Sequence, residues 1–208
     1  MSAFITLEGP DGGGKSLQAE LLKDYLQSLD HAVVLTREPG GTDIGDQIRK
    51  VLMLLENKAM DPRTEFLLFS ASRAQLVNQF IRPQLEAEKI VICDRFFDSS
   101  LAYQGYGQGL NLDMLRRVTE FATGGLVPDL TLLLDLDAES GLRRRESGGN
   151  WNRLDAYDLE FHRRVRNGYL ELASQEPQRW VVIDGSPGRE VVKTAVQQAV
   201  DAFLRHQV

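Results

Sequence analysis

The sequence predicts an α/β fold in which a parallel sheet is covered on both sides by helices. Three observations lead there. Short runs rich in Val, Ile and Leu alternate with segments of helical period along the 208 residues. The runs are apolar at nearly every position, which suits strands buried on both faces. The first run breaks into glycines and passes straight into a helical pattern, "FITLEGPDGGGKSLQAELL" over residues 4 to 22.

Strands are expected at Phe4–Glu8, Ala32–Arg37, Ile90–Asp94, Leu130–Asp135 and Trp180–Asp184. Helices are expected at Ser16–Leu29, Ile44–Leu55, Thr64–Glu88, Leu112–Thr123, Ala156–Ser174 and Arg189–Arg205. This alternation builds a doubly wound domain, and ligands of such sheets gather beyond the carboxyl ends of the strands. The polar punctuation falls there: Glu8 to Ser16, Arg37 to Gly41, Asp94 with Arg95, and Asp135. No repeat or linker divides the chain, so residues 1–208 read as one domain. "ESGGNWN", residues 146 to 152, reads as a mobile loop flanked by arginines.

With 24 Lys and Arg against 30 Asp and Glu, the net charge is -6, so no global basic field invites a nucleic acid polymer. Any anion must be met by local charge, and arginines do cluster at Arg143, Arg144 and Arg145 and at Arg163, Arg164 and Arg166. Cys93 is the single cysteine, which excludes an internal disulfide framework and a multi-cysteine metal site. No apolar run approaches a membrane span, and the chain enters a strand pattern directly, so a cytoplasmic protein is expected.

Residues 9 to 16, "GPDGGGKS", match G-x-x-x-x-G-K-[ST] with a strand before and a helix after. Gly9, Pro10, Asp11, Gly12, Gly13 and Gly14 form a loop whose backbone N–H groups can turn inward around a phosphate. The helix that follows adds the positive end of its dipole. Lys15 would reach the β- and γ-phosphates of a nucleoside triphosphate, and the Ser16 hydroxyl would take a place on Mg²⁺.

A phosphate cradle does not by itself separate a kinase from a switch. The nearest approach to a guanine-reading Asn-Lys-x-Asp is "NKAMD" at residues 57 to 61, one residue too long and without a strand before it. "VICDRFF" places Arg95 after Asp94, where a GTPase would need Asp-x-x-Gly. The sequence leans toward a small kinase. "TREPGG" ends a strand with Arg37, Glu38 and a kinked turn, and an arginine there can grip a phosphate bidentately. "CDRFFDSSLAYQGYG" supplies Asp94 for metal or water, Arg95 for phosphate, and Ser100, Tyr103 and Gln104 as polar groups on a following turn or helix. "LLFSASRAQL" sets Phe69 and Arg73 at i and i+4 on one helix face, an aromatic plane with donors one turn away.

Taken in order, "GPDGGGKS", "TREPGG", "LLFSASR", "CDRFFDSSLAYQGYGQG", "PDLTLLLDL" and "NRLDAYDLEFHRRVRNGYLELA" resemble the bacterial thymidylate kinase family over essentially the whole chain. The resemblance implies a P-loop NTPase fold with a five-stranded parallel sheet, a flexible lid near residues 143 to 154, and a homodimer. It implies transfer of the γ-phosphoryl group of Mg·ATP to dTMP, giving dTDP for dTTP synthesis.

The resemblance further implies roles. Asp11 serves the sugar 3′-hydroxyl and the acceptor end of the site. Arg37 and Arg95 hold the acceptor phosphate, and Asp94 organises the metal and its water. Phe69 stacks on the base, Arg73 reads its carbonyl edge, and Ser100 and Gln104 complete the reading. Tyr103 lies where a ribose 2′-hydroxyl would collide, and Arg49 lies near these parts. Thymine against uracil rests on one methyl, so that discrimination is expected to be about 1–3 kcal/mol.

The lid departs from the family pattern. Members without an arginine in the P-loop take one from the lid, and here Gly13 precedes Gly14. Glu146, Ser147 and Gly148 stand where lid arginines are often found, which leaves Arg144, Arg145 and Arg153. Arg153, in "NRLD", fits the motif best and is the expected catalytic arginine.

His31, His162 and His206 have no partners at triad spacing and are expected at the surface. Cys93 is read as a small buried hydrophobe, and Asp135 and Asp137 as local caps. Two rival readings stay open at this point: a kinase for another nucleoside monophosphate or a deoxynucleoside, and a nucleotide-dependent switch without acceptor chemistry.

Overall fold

The computed structural model describes residues 2–149 and 151–206. The described residues form a five-stranded parallel sheet, ordered β2-β3-β1-β4-β5. Its strands are β1 (Ala3–Glu8), β2 (Val33–Arg37), β3 (Ile90–Asp94), β4 (Leu130–Asp135) and β5 (Trp180–Asp184). The last three have the bounds expected from their apolar runs, and β1 and β2 differ by one residue each.

Side-chain alternation assigns the two faces. Ile5, Leu7, Ile90, Ile92, Leu132 and Leu134 pack under α1 (Lys15–Ser28) and α9 (Arg189–Arg205). Phe4, Val91, Cys93 and Leu133 point the other way, into a core shared with α3 (Pro62–Leu76), α6 (Leu112–Thr123) and α8 (Leu159–Gln175). Cys93 is fully buried, as expected for a small hydrophobe. A third, smaller cluster of Leu52, Phe69 and Leu154 joins α2 (Asp43–Met53) and α3 to the segment before α8.

Two elements differ from the sequence reading, and the turn or helix expected after Arg95 is helical. The run at Thr64–Glu88 is not one α-helix: α3 widens into a π-helical turn at Val77–Ile81 and then continues as α4 (Arg82–Glu86). The wide turn ends two residues before Pro83, which has no N–H to give to the carbonyl one turn back. The stretch after Arg95 is helical throughout, as α5 (Phe97–Ser100) followed by a π-helical segment, Leu101–Gly107. A helix α7 (Ala138–Ser147) was not expected, because "AESGLRRRES" carries almost no apolar period. Asp137 caps it through the Ser140 N–H, at 3.1 Å. The expected loop at 146 to 152 therefore begins inside this helix, and residue 150 lies outside the described residues.

His162 also differs: it is buried in α8, edge-on to Phe161, rather than at the surface. Asp135 is not a cap but binds Arg166 at 2.7 and 2.8 Å.

The topology positions the site. β1 lies between β3 and β4, and the parallel register sets Leu7 beside Asp94 and Arg37 beside Asp94. Glu8, Arg37 and Asp94 thus finish at the same edge of the sheet, beyond which doubly wound folds bind ligands.

Candidate active site

The loop from Gly9 to Gly14 joins β1 to α1 at that edge. Gly12 and Gly14 have φ of 77° and 82°, in the left-handed region that favours glycine. Gly12 also meets α7 closely: a Cβ there would collide with the Gly141 carbonyl, and one on Gly141 with the Asp11 carbonyl. Helix α7 is thereby pressed backbone-to-backbone against the phosphate loop.

Lys15 is buried and its Nζ donates to the Gly9 and Pro10 carbonyls, at 3.0 and 2.7 Å. Burial, and next the Arg95 cation, push its ammonium down to about 8. The Ser16 hydroxyl donates to Asp94 Oδ2. An adjacent hydroxyl and carboxylate suit a hard cation such as Mg²⁺, which takes one or two carboxylates together with substrate phosphates. Among the described residues no group of three or more His, Cys, Asp or Glu forms a metal cage, and Mg²⁺ in such a site requires none.

Arg95 is the hub. Its backbone has φ of 70°, unusual for a side chain of its size, and its N–H is held by the Leu7 carbonyl at 3.0 Å. Nη1 donates to Gly9 O, Ser99 Oγ and Tyr169 OH at 3.0, 3.1 and 2.9 Å. Nη2 donates to Asp11 Oδ1 at 2.7 Å and to the Tyr103 hydroxyl at 3.2 Å. Tyr103 in turn donates to Asp11 Oδ2 at 2.5 Å. Burial alone would raise the Asp11 carboxyl, but Arg95 and Lys15 outweigh it and hold the group well below the usual carboxylate range.

Behind Arg95 lies Glu8, fully buried at the end of β1. It accepts from the Phe96 N–H at 2.7 Å, Ser99 Oγ at 2.6 Å and Tyr169 OH at 3.1 Å. Burial, then the nearby Asp98 carboxylate, push it up to about 7. Two of the three groups that hold Arg95 Nη1 are therefore themselves held by Glu8.

The cleft in front of these groups has a volume of about 390 Å³. Asp11, Gly12, Gly14, Lys15 and Ser16 of the phosphate loop line it together with Asp94 and Arg95. Arg37, Glu38, Arg49, Phe69, Ser100, Tyr103 and Gln104 complete the lining. Arg37 reaches Asp46 at 3.2 Å, and Arg49 donates to the Pro39 carbonyl at 2.9 Å. Arg73 stands just behind the wall, buried. Its Nε and Nη2 are within 2.8 and 2.7 Å of Glu38 Oε2, and Nη2 donates to Ser100 Oγ at 3.0 Å. Its Nη1 is buried with no partner among the described residues. Burial pushes Glu38 up to about 7 even beside Arg73. Of the expected residues, Gly9, Pro10 and Gly13 complete the loop without lining the cleft.

Arg153 does not reach the cleft wall. It is buried with Nη2 2.5 Å from Glu65 and Nε donating to the Leu52 carbonyl at 2.9 Å. Arg144 and Arg145 of α7 line the cleft instead. Arg144 donates to the Gly185 and Ser186 carbonyls at 3.1 and 3.2 Å, and Arg145 pairs with buried Asp155 at 2.6 Å. The sequence assigns no role to Glu8, Ser99, Tyr169 or Glu65: Ser99 and Tyr169 hold Arg95, Glu65 holds Gln104 and Arg153, and Glu8 acts through Ser99 and Tyr169. The run "DSS" was the only local signal for Ser99, and nothing local marks Tyr169.

A glycine-cornered phosphate loop, a lysine, a hydroxyl–carboxylate pair and an arginine hub lining one polar cleft define a P-loop phosphotransferase. The chain belongs to the thymidylate kinase family, whose model matches residues 7–196. It is 50% identical to the thymidylate kinase of Roseiflexus castenholzii, covering 98% of this chain and 95% of that one. The thymidylate kinase of Deinococcus radiodurans is 51% identical, with 95% of each covered. The crystal structure of thymidylate kinase from Ehrlichia chaffeensis superposes with a TM-score of 0.79 at 34% identity, covering 96% and 98% of the two chains.

Proposed function

We propose that this enzyme moves the γ-phosphoryl group of ATP, bound as its Mg²⁺ complex, to the 5′-phosphate of dTMP, giving dTDP and ADP. The observation that carries the reading is the Arg95 hub, which joins the phosphate loop through Gly9 and Asp11 and faces a pocket lined by Phe69, Ser100, Tyr103 and Gln104.

The loop amides and Lys15 hold the donor phosphates, and Ser16 with Asp94 would hold Mg²⁺. When bound, the cation would supply charge neutralisation for the donor phosphates. Arg95 and Arg37 hold the acceptor phosphate in line, where fixed guanidinium forks neutralise spreading charge without reorganisation. Asp11 accepts the sugar hydroxyl and braces Arg95, Tyr103 fills the space beside the sugar, and Glu38 and Arg49 shape the acceptor wall. Phe69 stacks on thymine while Arg73, Ser100 and Gln104 read its edge. Arg144 and Arg145 supply charge from a lid comprising residues 143 to 154, and Arg153 braces its far end.

Residues 1–208 form one domain in this reading, working in the cytoplasm as a homodimer. Support for a second copy comes from Leu67 on α3 and Met114 and Phe121 on α6, which are exposed, Phe121 by 89%. Among the described residues no helix is long and apolar enough to cross a membrane.

The test is ADP release from Mg·ATP with dTMP, dUMP, dGMP, dCMP, AMP or no acceptor, beside Lys15→Ala. A rate that favours dTMP and is lost in the variant is expected. Turnover without any acceptor would contradict the kinase reading.

A further inference from the structure

Glu65, in α3, belongs to none of the motifs and is fully buried at the back of the acceptor pocket. Its Oε1 accepts from Gln104 Nε2 and from Gln108 Nε2, each at 2.7 Å. Its Oε2 pairs with Arg153 Nη2 at 2.5 Å and accepts from the Tyr157 hydroxyl at 3.5 Å. We propose that Glu65 is a positioning residue for base selection, acting through the orientation of the Gln104 amide. The proposal rests on the thymidylate reading above.

The chemistry is that of a flip. A side-chain amide can present either its oxygen or its NH₂ to a ligand, and only its neighbours decide which. A carboxylate paired with a guanidinium accepts and does not donate, so Glu65 draws the Gln104 NH₂ toward itself. That leaves Gln104 Oε1 for the ligand, and this oxygen is buried with no partner among the described residues, on a residue that lines the cleft. The neighbouring reader has the opposite character. Arg73 can only donate, and its Nη1 is the guanidinium nitrogen without a partner there.

The wall, with the guanidinium just behind it, therefore offers one acceptor and one donor. A 4-keto pyrimidine presents a carbonyl and an N3–H, which satisfy both. Cytosine presents an amine and an unprotonated N3, which reverses both and leaves buried groups unpaired. Uracil has the same edge as thymine and is unaffected. Arg153 and Tyr157 come from the segment between α7 and α8, so the same carboxylate also ties that segment to the base reader.

The experiment compares kcat/KM for dTMP, dUMP and dCMP in the wild type, Glu65→Gln, Gln104→Leu and the double variant. A glutamine at 65 can donate as well as accept, so the Gln104 amide is free to turn. In Glu65→Gln the dTMP-to-dCMP ratio should fall about ten-fold or more. The dTMP-to-dUMP ratio should stay within about two-fold, a split that general loosening of the pocket would not produce. In the Gln104→Leu background the second substitution should change neither ratio. An unchanged dTMP-to-dCMP ratio, a parallel fall of both ratios, or a full effect without Gln104 would overturn the proposal. Should Glu65→Gln not fold because Arg153 is stranded, Glu65→Gln with Arg153→Met removes both charges and is judged by the same ratios. A wild type that does not prefer dTMP over dCMP would overturn the thymidylate reading itself, which separates the two failures.

Discussion

Arg95 and Asp11 are joined at 2.7 Å where the phosphate loop meets the rest of the cleft wall. Neither is placed by its own strand alone. Asp11 sits in a glycine loop after β1, and Arg95 sits one residue past β3 on a left-handed backbone. The pair is fixed because β1 and β3 are neighbours in register, so the geometry of the sheet is passed directly to the site.

Arg95→Lys should lower kcat with dTMP by about 10²-fold or more, because an ammonium cannot replace a fork that meets Gly9, Asp11 and Tyr169 at once. Steady-state kinetics check this. The loss should fall on kcat and on the KM for dTMP, with little change in the KM for ATP.

Lys15 titrates near 8 in the free enzyme because burial and the Arg95 cation disfavour its charge. A bound triphosphate favours the ammonium, so its pKa rises on binding and a proton is taken up above pH 8. ATP affinity should therefore weaken as pH rises through 8, by up to about ten-fold per pH unit. Calorimetry at pH 8.5 in two buffers of different protonation enthalpy should register the uptake in the wild type and not in Lys15→Met.

Glu8 has its pKa raised from 4.5 to about 7 in the fold, chiefly by burial. A raised carboxyl contributes its stability fully below pH 4.5 and loses it as pH climbs through 7. Relative to Glu8→Gln, the wild type should thus become less stable between those limits, by something on the order of 3 kcal/mol, and the difference should level off above pH 7. Denaturant melts of both proteins from pH 5 to 8 measure it.

Gly141→Ala should displace α7 from the phosphate loop, since the new methyl meets the Asp11 carbonyl. Small misplacements at a transferring phosphoryl are costly, so kcat should fall about 10²-fold. A crystal structure of the variant should show Arg144 and Arg145 withdrawn from the cleft. An unshifted helix with full activity would contradict the coupling of α7 to the loop.

The sheet was legible because its strands are short apolar runs ending in polar residues, as at "IVICD" and "LTLLLD". The phosphate loop was legible because the motif is local. Helix α7 was not, since its polar sequence is held by the Asp137 cap and by contact with Gly12 rather than by an apolar stripe. Glu8 binds Tyr169 over a separation of 161 residues, and no spacing rule reports such a pair. Arg153 shows the limit of a motif: "NRLD" marks the residue, but only the fold reveals that Glu65 occupies its guanidinium.

The most direct test of phosphoryl transfer from ATP to dTMP within one cleft is ³¹P NMR of Mg·ATP and dTMP incubated with the enzyme. Matching growth of dTDP and ADP, without free phosphate, is the predicted result. Growth of ADP and inorganic phosphate while dTMP stays unchanged would contradict it, because the cleft would then deliver the phosphoryl group to water.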